Sequence, residues 1–305
     1  MSKISAVISA FNEEKNIERC LRSLSFCDEI ILVDNLSSDK TSEIAKKHTK
    51  KIFTQKNNPM LIDLQKNFGF EKATGDWILS IDADEEVSEE LAKEIKSVIE
   101  KKENKVNGYW IPRQNIIFGK VISNTGWFPD PQLRLFRRGK GKFVKAHVHE
   151  HIELDGEAAY LSNFLIHHHY ENISEFLRKT INIYAPSEAE EYINKGYVFS
   201  YFDAIKFPLK EFLSRFFARK GYKDGFHGLI LSFLMAFYHF LIFAFIWEKK
   251  GFTEYDKDDF LQETQKEFGK AGKEIAYWFT KEKLEAIKNP MQRNLQKIAR
   301  KVRGL

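Results

Sequence analysis

The sequence predicts an α/β fold, in which a mixed β-sheet flanked by helices is followed by a helical C-terminal region. Two observations predict the sheet: short apolar, β-branched runs alternate with segments of helical spacing, and several of these runs end in an acidic residue. A return to helical spacing from Ile173, with many aromatic residues, predicts the second region. We therefore expect a catalytic domain over residues 1–172 and a helical, membrane-associating region over residues 173–305.

The first part of the chain alternates strands with helices. Strands are expected over residues 4–9, 29–33, 51–54 and 77–81, and helices over residues 17–24, 41–48, 64–73 and 89–101. Extended segments separated by Gly and Pro follow over residues 108–153, and helices over residues 173–192, 198–220, 225–247 and from 255 onward. Since parallel strands end at one edge of a sheet, where ligands bind in such folds, Asp34 and Asp82 are expected at that edge.

Charge and cysteine content indicate the compartment and the binding partners of the protein. The chain has 305 residues, a formal net charge of +5 and two cysteines, too few for a disulfide framework, which favours a reducing compartment. The N-terminus is unlike a signal peptide, so we expect synthesis to end in the cytosol. Positive charge collects toward the C-terminus among Phe-rich amphipathic segments, which favours an anionic membrane surface as a partner and argues against nucleic acid.

The acidic sequence Asp82-Ala83-Asp84 directly follows an apolar strand. Alternate residues of an extended segment project in related directions, so the two carboxylates can hold Mg²⁺ or Mn²⁺ against a diphosphate. Asp34 ends another strand, where a uracil or ribose would be bound. Taken alone, an Asp-x-Asp sequence is also typical of a solvated turn.

Four motifs in this order resemble those of glycosyltransferase family 2, which has the GT-A fold. They are Ile8-Ser9-Ala10-Phe11-Asn12-Glu13-Glu14, Val33-Asp34-Asn35-Leu36-Ser37-Ser38-Asp39-Lys40-Thr41, Gln65-Lys66-Asn67-Phe68-Gly69 and Gly75-Asp76-Trp77-Ile78-Leu79-Ser80-Ile81-Asp82-Ala83-Asp84-Glu85. The sequence departs from the family at Asn35-Leu36 and at Lys40, where glycine is common. A narrower resemblance, to bacterial lipopolysaccharide-core and related glycan transferases, rests on Gly126-Trp127-Phe128-Pro129-Asp130, Leu133-Arg134-Leu135-Phe136-Arg137-Arg138, His149-Glu150, His167 and Tyr170.

The resemblance implies a role for each matching residue. Donor binding is implied for Ser9, Phe11, Glu13 and Asp34 at the nucleoside, for Lys66 and Asn67 near the phosphates, and for Asp82 at the sugar. Metal binding is implied for Asp82, Asp84 and, as a third ligand, His167. Acceptor binding is implied for Trp127 and Asp130. Arg134 would bind the donor diphosphate or an anionic acceptor. The alternative for Arg134 is a solvated surface arginine, and the alternative for Trp127 is a tryptophan of the hydrophobic core.

An inverting transfer needs a carboxylate that takes a proton from the acceptor hydroxyl. The resemblance places Glu150 in that role, beside Asp82 as the other catalytic residue. In a strand, Val148 and Ile152 would share a face with Glu150, and this partly apolar setting would raise the pKa of its carboxyl group. A glutamate in a surface salt bridge is the alternative interpretation.

The histidine-rich sequence has a competing interpretation. His147, His149 and His151 would line one face of a strand, shortly before His167-His168-His169, which is compatible with a zinc-dependent hydrolase. The sequence His147-Val148-His149-Glu150-His151 lacks the aspartate of the metallo-β-lactamase pattern, so this alternative is disfavoured.

The apolar segment 229–247 approaches the length that spans a bilayer. Basic residues flank both of its ends, so we favour a helix that lies in the membrane interface or packs on the catalytic domain over one that crosses. The segment 198–219 and the basic tail 290–305 have compositions typical of lipid-facing helices. These patterns predict association with the cytoplasmic face of the inner membrane, and the family resemblance implies a transferase that moves a hexose, with inversion, from a UDP-linked donor to a lipid-linked or lipopolysaccharide-core acceptor. A catalytically silent nucleotide-sugar-binding scaffold remains the alternative.

Overall fold

The computed structural model describes residues 2–58, 63–101, 105–144, 151–289 and 291–292. The chain forms two compact units. The first comprises Met1–Ser123 and Trp127–Phe176, and the second comprises Asn124–Gly126 and Leu177–Leu305.

A seven-stranded mixed sheet forms the centre of the first unit. Its strands are, in chain order, β1 (Ile4–Ala10), β2 (Glu29–Asp34), β3 (Lys51–Thr54), β4 (Trp77–Asp82), β6 (Gly108–Ile111), β9 (Gln132–Arg137) and β12 (Ala158–Tyr160). Their order across the sheet is β12-β6-β9-β4-β1-β2-β3. The neighbours from β4 to β3 are parallel, whereas β9 is antiparallel to both β4 and β6. The mixed sheet predicted from the alternating pattern is therefore confirmed.

Two smaller sheets complete the first unit. One contains β5 (Glu85–Val87), β7 (Arg113–Ile117), β8 (Lys120–Val121) and β13 (Leu165–Tyr170) in the order β5-β13-β7-β8. The other pairs β10 (Gly141–Phe143) with β11 (Ile152–Leu154). The first of these sheets places β13 between β5 and β7, so His167 stands opposite Glu85 on one side and Asn115 on the other.

Four helices flank the sheets because each buries an apolar face. They are α1 (Ile17–Ser23), α2 (Thr41–Ala45), α3 (Lys66–Lys72) and α4 (Glu89–Ile99). Ser88 is the N-cap of helix α4, and its hydroxyl accepts a hydrogen bond from the Leu91 amide at 3.2 Å. Helix α3 approaches the sheet at Gly69, where an added Cβ would lie 2.5 Å from Cγ1 of Val7. That glycine lets α3 pack closely enough to bring Lys66 to the sheet edge.

The second unit is helical. Its helices are α5 (Ile173–Lys179), which straddles the boundary, α6 (Ala185–Asn194), α7 (Asp203–Leu213), α8 (Phe226–Lys249) and α9 (Phe260–Glu285). Helix α8 is, by length and composition, long and apolar enough to cross a membrane. By itself this is weak evidence of a span, because core helices of soluble proteins have the same property.

The helices of the second unit are more broken than the sequence predicts. A π-helical turn at Thr180–Tyr184 interrupts the helix expected over residues 173–192, and another at Ser214–Ala218 follows α7. The helix expected from residue 198 begins only at Asp203. A π-turn inserts one residue into a helix and leaves the chain helical on both sides, so the sequence still predicts one continuous helix.

Candidate active site

The carboxyl ends of β1, β2 and β4 lie side by side. Ser9 of β1 stands opposite Asp82 of β4, and Ala10 stands opposite Asp34 of β2. Phe11, which follows β1, has 43% of its surface exposed. The predicted site residues on these three strands are thus assembled along one edge, as the parallel order requires.

Hydrogen bonds fix the loops at the ends of β1 and β2 to each other. The backbone amide of Asn12 donates to the Ser37 hydroxyl at 2.9 Å, and that of Glu13 donates to Thr41 Oγ1 at 2.7 Å. The Asn12 side-chain oxygen accepts from the backbone amide of Ser38 at 2.8 Å. We call this set of contacts the loop clasp. Both Asn12 (φ 57°) and Leu36 (φ 60°) adopt the left-handed conformation, so residue 36 has the backbone geometry that favours glycine although a leucine stands there.

The predicted nucleoside residues behind the loop clasp are tied together. Buried Asp34 accepts a hydrogen bond from the Ser37 amide at 3.0 Å. Asn35 donates from Nδ2 to the Ser9 hydroxyl at 2.8 Å and accepts from Nε2 of Gln55 at 2.8 Å. The loop after β2 is therefore closed down on β1 by side chains rather than by a glycine turn.

Asp82 lies between two cations at the end of β4. Its Oδ1 is 2.5 Å from Nζ of Lys66, and its Oδ2 accepts a hydrogen bond from Nη2 of Arg134. Burial alone would raise the pKa of the Asp82 carboxyl group, but the charges of Arg134 and Lys66 outweigh it and hold that pKa well below its usual range. Asp82 is therefore an anion at neutral pH.

Lys66 is almost completely buried at the start of α3. Its Nζ lies 2.6 Å from Oδ1 of Asp63 and 5.1 Å from the centre of the Phe143 ring. Burial lowers the pKa of a lysine, but Asp82 and Asp63 outweigh it and raise the pKa of Lys66. Lys66 is a fixed positive charge that faces the strand end. Neighbouring Asn67, by contrast, uses its amide to exchange two hydrogen bonds with the Phe143 backbone and so ties α3 to β10.

Glu85, fully buried, links the two arginines of the site. Its Oε1 accepts from Nη2 of Arg134 at 2.8 Å and from Nη1 of Arg113 at 3.3 Å, and its Oε2 accepts from the Asp82 amide at 2.9 Å. Arg113 in turn donates from Nε and Nη2 to Oδ2 of Asp130, at 3.0 and 2.6 Å. Burial raises the pKa of Asp130, but Arg113 outweighs it and lowers that pKa. The result is a continuous chain of ion pairs from Lys66 to Asp130.

Asn115 fixes the orientation of His167. The Asn115 Nδ2 donates to the carbonyl oxygen of Trp127 and to Oδ2 of Asp130 at 3.3 Å, and both of these atoms can only accept. Oδ1 of Asn115 therefore faces Nδ1 of His167, at 2.6 Å, and this ring nitrogen must carry the hydrogen.

The other ring nitrogen of His167, Nε2, lies 3.4 Å from Oδ2 of Asp84. When the ring is neutral, its proton is on Nδ1, so two electron-pair donors face each other across this distance. A divalent cation would suit such a nitrogen and oxygen pair. Within the described residues, no group of three or more His, Cys, Asp or Glu side chains is preassembled to hold a metal.

The two aspartates of the Asp-x-Asp sequence differ from the expected geometry. Residues 83 and 84 form a turn between β4 and β5 rather than an extended segment, and Ala83 is buried. Asp82 consequently faces Lys66 and Arg134, whereas Asp84 faces His167. The expectation that both project alike from a strand is wrong, because the chain reverses directly after β4.

The remaining predicted site residues lie in different surroundings. Trp127 packs its ring edge-on against His169 and Tyr170, with ring centres 5.0 and 6.3 Å apart. The Glu13 carboxylate accepts a hydrogen bond from the Asn16 side chain at 2.9 Å, just before α1. Glu150, His147 and His149 lie outside the described residues.

Sequence reasoning missed Glu85, Arg113 and Asn115. Glu85 directly follows Asp84 in the matched motif, and Arg113 and Asn115 alternate on one strand, so both point to the same face. Polar residues at alternate positions of a strand are the signal that would have found the last two.

Known proteins are similar to this chain over most of its length. A Rickettsia typhi protein described as an uncharacterized glycosyltransferase is 31% identical over 255 residues, which cover 80% of this chain and 86% of that protein. The lipopolysaccharide core biosynthesis glycosyltransferase LpsC of Rhizobium meliloti is 27% identical over 256 residues, which cover 81% and 92%. Together with the fold, these similarities define the chain as a glycosyltransferase.

The family follows from a match over about half of the chain. Residues 5–159 match the model of glycosyl transferase family 2, and the chain belongs to that family. The resemblance seen in the four motifs is confirmed. Among solved structures, S. aureus TarS 1–349 in complex with UDP-GlcNAc is similar with a TM-score of 0.44 at 15% identity, over 84% of this chain and 93% of that one.

Proposed function

We propose that this glycosyltransferase moves a hexose, with inversion, from a UDP-linked donor to a lipid-linked or lipopolysaccharide-core acceptor on the cytoplasmic side of the inner membrane. Residues 1–172 would form the catalytic domain. The observation that carries the proposal is the pair of buried cations, Lys66 and Arg134, held at the strand end by Asp82. The acceptor class is supported by the similarity to the lipopolysaccharide-core enzyme of R. meliloti.

Lys66 and Arg134 suit a diphosphate. Charge builds up on the nucleoside diphosphate as it leaves, and fixed cations in a buried setting stabilise that charge most effectively. Carboxylates hold both side chains in place before a ligand binds, so the two charges are positioned in advance. Ser9, Phe11, Glu13 and Asp34, at the neighbouring strand ends, would contact the nucleoside.

A divalent cation, Mg²⁺ or Mn²⁺, would be held by Asp84 and His167, with Asp82 beside them. When bound, it would neutralise charge on the departing diphosphate. The residues fit because Asn115 fixes the hydrogen of His167 on Nδ1 and leaves Nε2 as the ligand atom toward Asp84.

The acceptor hydroxyl would attack the anomeric carbon as the bond from that carbon to the diphosphate oxygen breaks. The nucleoside diphosphate leaves with the bonding electron pair, and Glu150 takes the proton of the hydroxyl. Asp130 is unsuited to that step, because Arg113 lowers the pKa of its carboxyl group and keeps it a weak base. Asp130 instead offers a hydrogen-bond acceptor beside Trp127, where the acceptor sugar would lie.

A donor screen tests the proposal. The full chain is incubated with UDP-, GDP- and dTDP-hexoses, with Mn²⁺ or with EDTA, and nucleotide release is measured. We expect release from a UDP-hexose with Mn²⁺ and not with EDTA. Tight nucleotide binding without any release would instead support a silent scaffold, and the anomeric configuration of the transferred sugar reports inversion.

A glutamate pair tests the assignment of the base. Glu150→Gln should abolish transfer while leaving UDP binding nearly intact, since the amide keeps the size of the side chain but cannot take a proton. Glu153→Gln is the matched control, because Glu153 is an exposed glutamate on neighbouring β11. Wild-type turnover in Glu150→Gln would assign the base to another residue.

A further inference from the structure

One face of α8 exposes an unusual number of aromatic side chains. Phe226, Phe233, Phe237, Phe240 and Trp247 are 73%, 56%, 41%, 41% and 37% exposed. Their spacings of three, four and seven residues place all five on one side of the helix. We call this set the aromatic stripe; at 1.5 Å per residue it is about 31 Å long.

The opposite face of α8 is packed inside the helical unit. The Tyr238 hydroxyl donates to Glu188 of α6, and Nε2 of His239 lies 3.6 Å from Oε2 of Glu211 of α7. Phe243 stacks on Phe199 with ring centres 5.3 Å apart. The two faces of α8 are therefore distinct: one is a bundle interior with polar partners, and the other faces outward.

The neighbours of α8 argue against a membrane span. Helix α6 carries three glutamates within ten residues, and α7 carries acidic and basic residues together with Pro208. Moving α8 across a bilayer would bring these charges with it or break the bonds to Glu188 and Glu211, and charged side chains at the bilayer centre are strongly disfavoured. A helix with one buried and one apolar outward face suits the plane of the interface.

The charge distribution of the chain indicates which kind of surface binds the aromatic stripe. Residues 177–305 contain 23 lysines and arginines against 16 aspartates and glutamates, a net charge of +7, whereas residues 1–176 contain 25 against 27, a net charge of −2. Exposed lysines lie at both ends of α8: Lys220 and Lys223 precede it, Lys249 is its last residue and Lys250 follows it. A second copy with the same charge would be repelled, whereas an anionic phospholipid surface attracts such a flank.

We propose that the aromatic stripe of α8 is a docking surface for an anionic phospholipid membrane and that α8 lies along that surface without crossing it. The proposal deepens the proposed function, on which it rests only for the lipid-linked nature of the acceptor. Docking would hold the enzyme where such an acceptor is anchored, with the apolar rings in the acyl boundary and the lysines at the headgroups.

Vesicle flotation of the full chain tests the docking surface. Vesicles contain phosphatidylcholine alone or mixed with phosphatidylglycerol. Wild type should float with the anionic vesicles, less so in high salt. The double variant Phe233→Ser/Phe240→Ser should bind at least roughly tenfold more weakly, because burying even one phenylalanine corresponds to about that factor. Phe268→Ser, which changes an exposed phenylalanine of α9 outside the stripe, is the matched control and should bind like wild type.

Several outcomes would overturn the docking surface. Equal vesicle binding by the double variant and wild type would do so, as would a wild-type dimer in light scattering that the double variant loses while neither binds vesicles. Membrane-bound wild type that resists alkaline carbonate extraction would show that α8 spans. Donor hydrolysis is measured on the same samples: its absence in wild type that still binds vesicles overturns the proposed function alone, and unaltered hydrolysis in the double variant shows that it is folded.

Discussion

Replacing Asn115 with leucine should separate the metal-facing geometry of the site from its overall stability. The side chain is fully buried and makes three hydrogen bonds, to His167, to the Trp127 carbonyl and to Asp130. Leucine has the same number of side-chain heavy atoms, branched at the same carbon, and makes none of these hydrogen bonds. The substitution therefore removes polar contacts without opening a large cavity.

The size of the effect follows from those partners. Two buried groups, the Trp127 carbonyl and the His167 Nδ1 hydrogen, lose this bond at about 1–3 kcal/mol each. Asp130 loses little, because Arg113 still donates to it twice. We expect the free energy of unfolding to fall by about 2–6 kcal/mol. Affinity for Mn²⁺ should fall by roughly 10–100-fold, since His167 is no longer held in the orientation that aims Nε2 at Asp84.

Two measurements on folded protein check this: urea denaturation for stability and calorimetric titration with Mn²⁺ for affinity. Asn163→Leu is the control, because it removes a side-chain hydrogen bond of similar length, 2.9 Å to Glu94, in the same unit without touching His167. It should cost stability and leave Mn²⁺ affinity unchanged. Wild-type Mn²⁺ affinity in Asn115→Leu would refute the reasoning about His167.

Four further substitutions probe charge and packing. Lys66→Met should lower kcat/KM for donor hydrolysis roughly 10–100-fold, because a charge-assisted bond contributes about 1.5–3 kcal/mol; an unchanged value in nucleotide-release assays would remove Lys66 from the phosphate site. Folding lowers the pKa of the Asp82 carboxyl group. The ionised carboxylate therefore stabilises the folded protein above the pKa of the unfolded chain, about 3.9, and this stabilisation is lost as the pH falls through the pKa of the folded protein. Asp82→Asn should thus be less stable than wild type by a constant amount above about pH 5 and converge with it in acid, and a difference that widens in acid contradicts this. Gly69→Ala should destabilise by about 1–3 kcal/mol, because its Cβ would meet Val7, whereas Gly272→Ala in α9, with no atom within 4 Å, should stabilise by up to about 1 kcal/mol. Equal denaturation midpoints for the two alanine variants would show that α3 yields at this contact.

The sheet could be predicted because its strands are marked locally. Strands β1, β2 and β4 are largely apolar runs, of which β2 and β4 end at an aspartate, and their expected bounds differ from the observed ones by one residue at most. Their parallel order follows from the intervening helices. Asp34 and Asp82 at one edge were predictable for the same reason.

The ion-pair chain behind the edge was not predictable in this way. Arg134 is 52 residues from Asp82 along the chain, and His167 is 52 residues from Asn115. No local sequence pattern predicts which distant charged residues form ion pairs, because strand pairing in two different sheets brings these residues together. The turn at Asp84 was missed because an Asp-x-Asp sequence is compatible both with an extended strand and with a turn that reverses the chain.

The loop clasp has a thermodynamic consequence for a ligand that binds at the strand ends beside it. Backbone groups of residues 12, 13 and 38 are already bonded across the gap between the two loops, so their conformational entropy is lost on folding rather than on association. The main entropy cost of binding is then the immobilisation of the ligand itself. Calorimetry of UDP binding should accordingly show the modest heat-capacity change of binding to a preformed site, and not the large heat-capacity change that accompanies coupled folding.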